Sequence, residues 1–469
     1  MPHCGALPSC VIAHMLQFCG PDTVLKVACT GAWRWNTSSP EAQRQVIAAR
    51  RLCAIAASIR DSDPWAPPLW PFEFRGCLYI ALVAVARNGW ALQYASEDLR
   101  ANKAVVLAAV SENGNAFRLA ASDLRADREV VLAAVAKNGF MLYLAAAEFQ
   151  ADKEVVFAAV AQYGHALKYA TAEIRADRVV VLAAVAQNGY ALQHAALHLK
   201  AVKEVALAAV SNSGCALQYA DSDLTADKEV VLTAVRQAGY ALEYAAVHMQ
   251  ADKEVVLAAV AQNGYALQFA ASDLRADREV VLAAVARNGY ALEYAAVHMQ
   301  ADRVVVLAAV SNSGYALQFA ASDLRSDKGV VLAAVAQNGY ALQFAASRLL
   351  ADKEVVLVAV TQDGWALQYA AEDLRADKEV VIAAVAQNGE ALYHAAAEFQ
   401  ADKELVLVAV AQNGHAMRHA AAEFRADKEV VLAAVAQNGN ALQYASANLQ
   451  ADDEMVRAAA VKRFCTWPD

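Results

Sequence analysis

Apolar and polar positions recur along most of the chain with a fixed period of 25 residues. The consensus reads D-K-E-V-V-L-A-A-V-A-Q-N-G-Y-A-L-Q-Y-A-A-S-D-L-R-A, numbered one to twenty-five. Glycine marks position thirteen from Gly89 to Gly439 without one insertion or deletion, which takes 15 of the 20 glycines. Aspartate opens 12 of 15 repeats, Cys77, Asn102 and Val202 being the exceptions, and aspartate is a preferred helix N-cap. Glutamate two residues later, as at Glu129, suits the positive end of a helix. The stripe Val130, Val131, Ala134, Val135 has i, i+4 spacing, and Asn138-Gly139 predicts the helix end through a left-handed glycine. A second stripe, Leu267, Ala270, Ala271 and Leu274, predicts a second helix. Each repeat therefore reads as two helices of about ten residues, too short to be stable alone and stabilised by stacking on neighbours.

A strand reading of Val-Val-Leu, as in leucine-rich repeats, is disfavoured by five to eight alanines per repeat, the Asp cap and apolar spacing of three and four. All nine prolines lie at or before Pro71, or at Pro468, so the array is free of the residue that most disrupts helices. The expected fold is all-α: a small helical module at 1–60, a Pro/Trp-rich linker at 61–76, and an α-solenoid of about fifteen 25-residue two-helix repeats at 77–469. Layers at about 9–10 Å would make a curved rod roughly 140 Å long. Asp452 to Phe464 lacks the glycine and is more polar, as a C-terminal cap should be. Tyr240–Asp252 and Tyr290–Asp302 both read YALEYAAVHMQAD, and Gly264–Arg275 matches Gly314–Arg325, a 50-residue super-period that implies duplication of repeat pairs.

Composition narrows the function. The net charge of −9 argues against a nucleic-acid or anionic-membrane partner, each of which needs a basic footprint. Apolar runs stop after about two turns, short of the roughly 20 residues of a membrane span. The N-terminus lacks a basic n-region, the eight cysteines form no CxxC pairs, and the expectation is reduced thiols in the cytoplasm or nucleus.

The motifs D-[KR]-E-V-V-L-A-A-V, N-G-x-A-L-x-x-A and L-[RQ]-x-D, repeated over residues 77–455, resemble a tandem α-helical repeat family of unknown function, domain of unknown function 4116. The resemblance implies the fold and offers little about activity. Near the N-terminus, Leu7-Pro8 precedes Val11, Ile12, Met15, Leu16 and Phe18 at helical spacing; Gly20-Pro21-Asp22 breaks that helix, and a second reaches Trp33-Arg34. This segment resembles an F-box. Cys29 lies one residue earlier than in that family, and Thr23 replaces its leucine. The resemblance implies docking on a Skp1-type adaptor of a cullin ubiquitin ligase through Leu7, Pro8, Ile12, Leu16 and Trp33. The alternative is a helical cap over the first repeat.

The remaining candidate chemistry lies in the second arm. Position fourteen carries Trp90, Phe140, Tyr190, Tyr240, Tyr265, Tyr290, Tyr315, Tyr340 and Trp365, and elsewhere Asn, His, Cys or Glu. Position eighteen is mostly Tyr or Phe. Four apart on an α-helix, the two share a face and predict an aromatic ladder. Tolerance of polar residues assigns position fourteen to a partner-binding surface and position eighteen to packing between repeats. The pairs His415/His419 and His194/His198 lack the further ligands of a zinc motif, so no metal and no other cofactor is expected. Lys or Arg fills position two in 14 of 15 repeats, but Asp at one and Glu at three neutralise the row. No nucleophile motif, phosphate loop or break in regularity marks an active site. The expected function is a non-enzymatic scaffold for a protein partner along the solenoid, which the F-box resemblance would join to a ubiquitin ligase; the alternative is a purely structural scaffold, and an RNA-binding repeat protein ranks third.

Overall fold

The computed structural model describes residues 75–464 together with Ser58. The expected N-terminal module apart from Ser58, its residues Leu7, Pro8, Ile12, Leu16 and Trp33, and the linker apart from Arg75 and Gly76 lie outside the described residues. The described residues contain helical segments and no strand. The chain divides into two compact units, Met1–Asp221 and Ser222–Asp469, and within each the repeats stack as an α-solenoid.

A repeat begins with a ten-residue α-helix such as Lys253–Gln262. Asp252 caps it by accepting hydrogen bonds from Glu254 N at 3.0 Å and Val255 N at 3.2 Å. Val255, Val256, Ala259 and Val260 are fully buried against the neighbouring long helices. The second arm differs from the ten-residue helix expected. It is a six-residue 3₁₀ helix, Gly264–Phe269, followed after Ala270 and Ala271 by a four-residue α-turn, Ser272–Arg275. Gly264, Leu267 and Ala270, spaced by three, are buried together with Ala266, as the three-residue turn of a 3₁₀ helix requires.

The Asn-Gly pair also works differently from a left-handed helix stop. Asn263 is extended, at φ −148°, and its side chain caps the 3₁₀ helix by accepting from Tyr265 N at 3.0 Å. None of the regular glycines from Gly89 to Gly189 and from Gly239 to Gly414 has the positive φ of the left-handed region. Glycine is required instead by close approach: a Cβ on Gly264 would sit 2.5 Å from the Ala284 carbonyl oxygen of the next layer.

Three polar ladders join successive layers. In one, a backbone N–H at position twenty donates to the carbonyl at position twenty-four of the preceding layer, as from Ala271 to Gln250 at 2.9 Å. In the second, the position-two cation binds the next N-cap Asp and the Glu beside it: Lys253 Nζ lies 2.7 Å from Asp277 and 2.8 Å from Glu279. These lysines hold Asp127, Asp252 and Asp277 below the usual carboxylate range. In the third, the Gly N–H donates to the position-eleven side chain of the next layer, as Gly239 does to Gln262 Oε1 at 2.7 Å. Among the described residues no polar or charged side chain is fully buried, so the core is apolar and the hydrogen bonding runs along its margins.

Two substitutions test this construction. Gly264→Ala should lower the denaturant midpoint by the equivalent of about 1–3 kcal/mol, because a backbone carbonyl, not a flexible side chain, must move. Val202 stands where Asp caps other helices and makes no cap hydrogen bond. Val202→Asp should therefore raise stability by about 0.5–1 kcal/mol in the same assay.

Candidate functional site

Because the second arm turns once every three residues, positions fourteen and eighteen of one repeat point about 120° apart rather than sharing a face. The ring ladder forms between layers instead. Position fourteen meets position eighteen of the next repeat, edge to face: Tyr265 with Tyr294 at 6.2 Å, Tyr290 with Phe319 at 6.1 Å, Tyr315 with Phe344 at 5.9 Å and Tyr340 with Tyr369 at 6.1 Å between centroids. Tyr190 pairs likewise with Tyr219, and Tyr240 with Phe269. Such pairs contribute about 0.5–1.5 kcal/mol each beyond the area they bury. Rings at both positions pack between layers, and both stay partly open to solvent. Trp90, Phe140 and Tyr240 are exposed, while Tyr190, Tyr265, Tyr290, Tyr315, Tyr340, Trp365 and the position-eighteen rings are half-buried. Burial pushes the phenols of Tyr190, Tyr315 and Tyr340 up.

The pattern is interrupted between residues 363 and 444. Glu390 replaces a ring at position fourteen and pairs with Arg418 at 3.1 Å. Trp365 packs on His394 at 5.1 Å, and Tyr393 lies against both His394 and His419. His415 turns to the Tyr444 hydroxyl at 3.3 Å and to Asn438 Nδ2 at 3.0 Å, while His419 Nε2 accepts from Arg418 Nε at 2.8 Å. The two histidines thus engage different neighbours, not one shared site. Among the described residues no group of three or more His, Cys, Asp or Glu could hold a metal.

Beside these rings runs an open groove of about 560 Å³. Four successive layers line it: Asp363 and Trp365, then Gln387 and Asn388, then Gln412, Asn413 and His415, then Gln437 and Asn438. Reading the repeat as uniform gave no reason to expect such a feature. The sequence signal was an unbroken run of Gln at position eleven followed by Asn or Asp at twelve, from Gln337 to Asn438; earlier layers interrupt it with Tyr163, Ser213, Ala238 and Ser313. The position-eleven residues were also not foreseen as the side chains that receive the Gly N–H groups.

Where histidine replaces an aromatic at position eighteen, its charge is suppressed. Burial, with His165, Lys168, Lys200 and Arg175 adding to it, lowers His194 from 6.5 to about 4. Burial likewise lowers His394 and His419. The unfolded chain binds the proton more readily, so His194 contributes stability above pH 6.5 that is lost as pH falls toward 4. His194→Phe should therefore shrink the drop in Tm between pH 7 and pH 4.5 relative to the parent chain.

The family model described as Domain of unknown function (DUF4116) matches residues 79–125, 105–150, 127–175, 152–200, 203–250, 252–300, 302–350, 352–400, 377–425, 402–450 and 427–465. Most of these matches span two layers of the array. No curated protein and no solved structure matches the chain.

Proposed function

We propose, on the premise that the chain belongs to the repeat family described as Domain of unknown function (DUF4116), that it is a non-catalytic scaffold holding a protein partner against the ring-lined face of its second arms. The observation that carries this reading is the ladder of ring pairs. Each joins two layers, so the rings are rigid, and they remain partly open to a partner. Rigid aromatic side chains lose little entropy on binding and dominate interface energetics. The basic row supports a protein rather than an RNA partner, because its lysines are spent on carboxylates: Lys228, Lys253, Lys328, Lys353 and Lys403 each contact both an Asp and a Glu of the next layer. Among the described residues, no helix is long and apolar enough to cross a membrane.

The F-box-like segment supplies the finer reading, an adaptor that presents the scaffold's partner to a cullin-type ligase through Leu7, Pro8, Ile12, Leu16 and Trp33. It rests on sequence resemblance alone, and a purely structural scaffold is the alternative. The two separate in one binding assay of the full chain against a purified Skp1-type adaptor. The adaptor reading expects stoichiometric binding that Leu16→Asp weakens at least tenfold; no binding at high micromolar concentration leaves the scaffold without a ligase link. The scaffold itself is tested by a photo-crosslinking residue at Tyr315, which should capture discrete proteins in cells, whereas one at the opposite margin, Glu354, should not.

A further inference from the structure

The groove at residues 363–438 has a one-sided hydrogen-bonding character. Asn388 Oδ1 accepts from Glu390 N at 3.1 Å and Asn413 Oδ1 from His415 N at 3.0 Å. Gln412 Oε1 accepts from Gly389 N at 2.6 Å and Gln437 Oε1 from Gly414 N at 2.7 Å. Backbone donors therefore fix which way each carboxamide points, oxygen inward and NH₂ outward. Gln412 passes its own donor to the Gln387 carbonyl. Among the described residues, nothing accepts from the NH₂ groups of Asn388, Asn413 or Gln437. The lining thus offers donors, one carboxylate at Asp363 and two rings, Trp365 and His415, with no lysine or arginine.

We propose that this groove binds an extended polypeptide in the polyproline II conformation that carries basic side chains. The inference rests on the scaffold reading and names the partner's chemistry. Donors without cations select neutral acceptors, and the solvated carbonyls of a polyproline II backbone are such acceptors. A polyanion would face Asp363 with nothing to neutralise it. Sugar hydroxyls need acceptors for their own protons, and apart from the Asp363 carboxylate each carboxamide oxygen here already accepts a backbone N–H. The spacing also fits. Polyproline II advances about 3.1 Å per residue with three residues per turn, or about 9.3 Å; packed helical layers lie about 8–10 Å apart. One carbonyl per turn can therefore meet one amide per layer. Trp365 beside Asp363 receives a guanidinium or ammonium through ring and carboxylate together, and the adjacent ring faces suit proline.

The test uses the full chain and a fluorescent, end-capped peptide of four Pro-Pro-Arg triplets, read by anisotropy at physiological salt. Asn388 and Asn413 are changed together to Asp. Native Asp363 shows that Asp caps the 3₁₀ helix equally well, accepting from Trp365 N at 2.9 Å. The double variant therefore keeps the fold, loses two donors and gains two negative charges. The expected result is binding by the parent chain that weakens at least tenfold in Asn388→Asp/Asn413→Asp. Unchanged or tighter binding would show simple charge attraction and overturn the proposal. So would no binding at about 1 mM, or binding of a cellulose hexasaccharide that the double variant abolishes. A photo-crosslinking residue at Trp365 separates the two readings: protein crosslinks in cells without peptide binding leave the scaffold standing and the peptide inference overturned, and the absence of both overturns both.

Discussion

The structure depends on how closely one layer approaches the next at a single point, where position thirteen lies over the position-eight carbonyl of the following repeat. A side chain there would meet backbone, as at Gly239, where an added Cβ would lie 2.6 Å from the Ala259 oxygen. That approach brings the Gly N–H within reach of the next layer's position-eleven side chain. It also sets the separation at which rings four positions out of register in sequence meet edge to face. Valines and alanines fill the volume on one side, and Leu267 and its counterparts on the other; each such leucine contributes about 1.5–3 kcal/mol by leaving water. None of these elements is long enough to persist alone.

The approach has a consequence for function. Most polar groups near the layer boundaries are committed to the ladders: the cations to Asp and Glu, the amide oxygens to backbone N–H groups, one backbone pair to each interface. On the ring-lined face, the variation between layers falls at positions twelve, fourteen, seventeen and eighteen. In these the array changes from a regular run of Tyr and Phe to the mixture of Trp365, Glu390, Tyr393, His394, His415 and Arg418. A uniform frame thereby carries a non-uniform surface, which is how a repeat protein acquires specificity without disturbing its stacking.

Much of this was legible in the residues. The 25-residue register, the Asp cap, the Val stripe and the all-α class follow from periodicity and capping chemistry, and the structure and the family match agree with them. The second arm was harder. Over six residues a period of three differs little from 3.6, and Leu267, Ala270, Ala271 and Leu274 fit both; the trio Gly264, Leu267 and Ala270 was the available clue. The aromatic positions were found, but their pairing was not, because it depends on that turn angle. The role of position eleven was hidden because an isolated Gln before Asn-Gly reads as solvated surface until its contact with the neighbouring glycine is seen. Leu7, Pro8, Ile12, Leu16 and Trp33 lie outside the described residues, and their role rests on sequence alone.

The central claim is that the second arm is a 3₁₀ segment whose rings pair across layers. Nuclear Overhauser contacts in a deuterated chain with protonated Tyr and Phe rings test it directly, with Tyr315 assigned by substitution. The account predicts a strong contact from the Tyr315 ring to the Phe344 ring of the next layer. A dominant contact from Tyr315 to Phe319, four residues on in its own repeat, would mean a continuous α-helix and would contradict it.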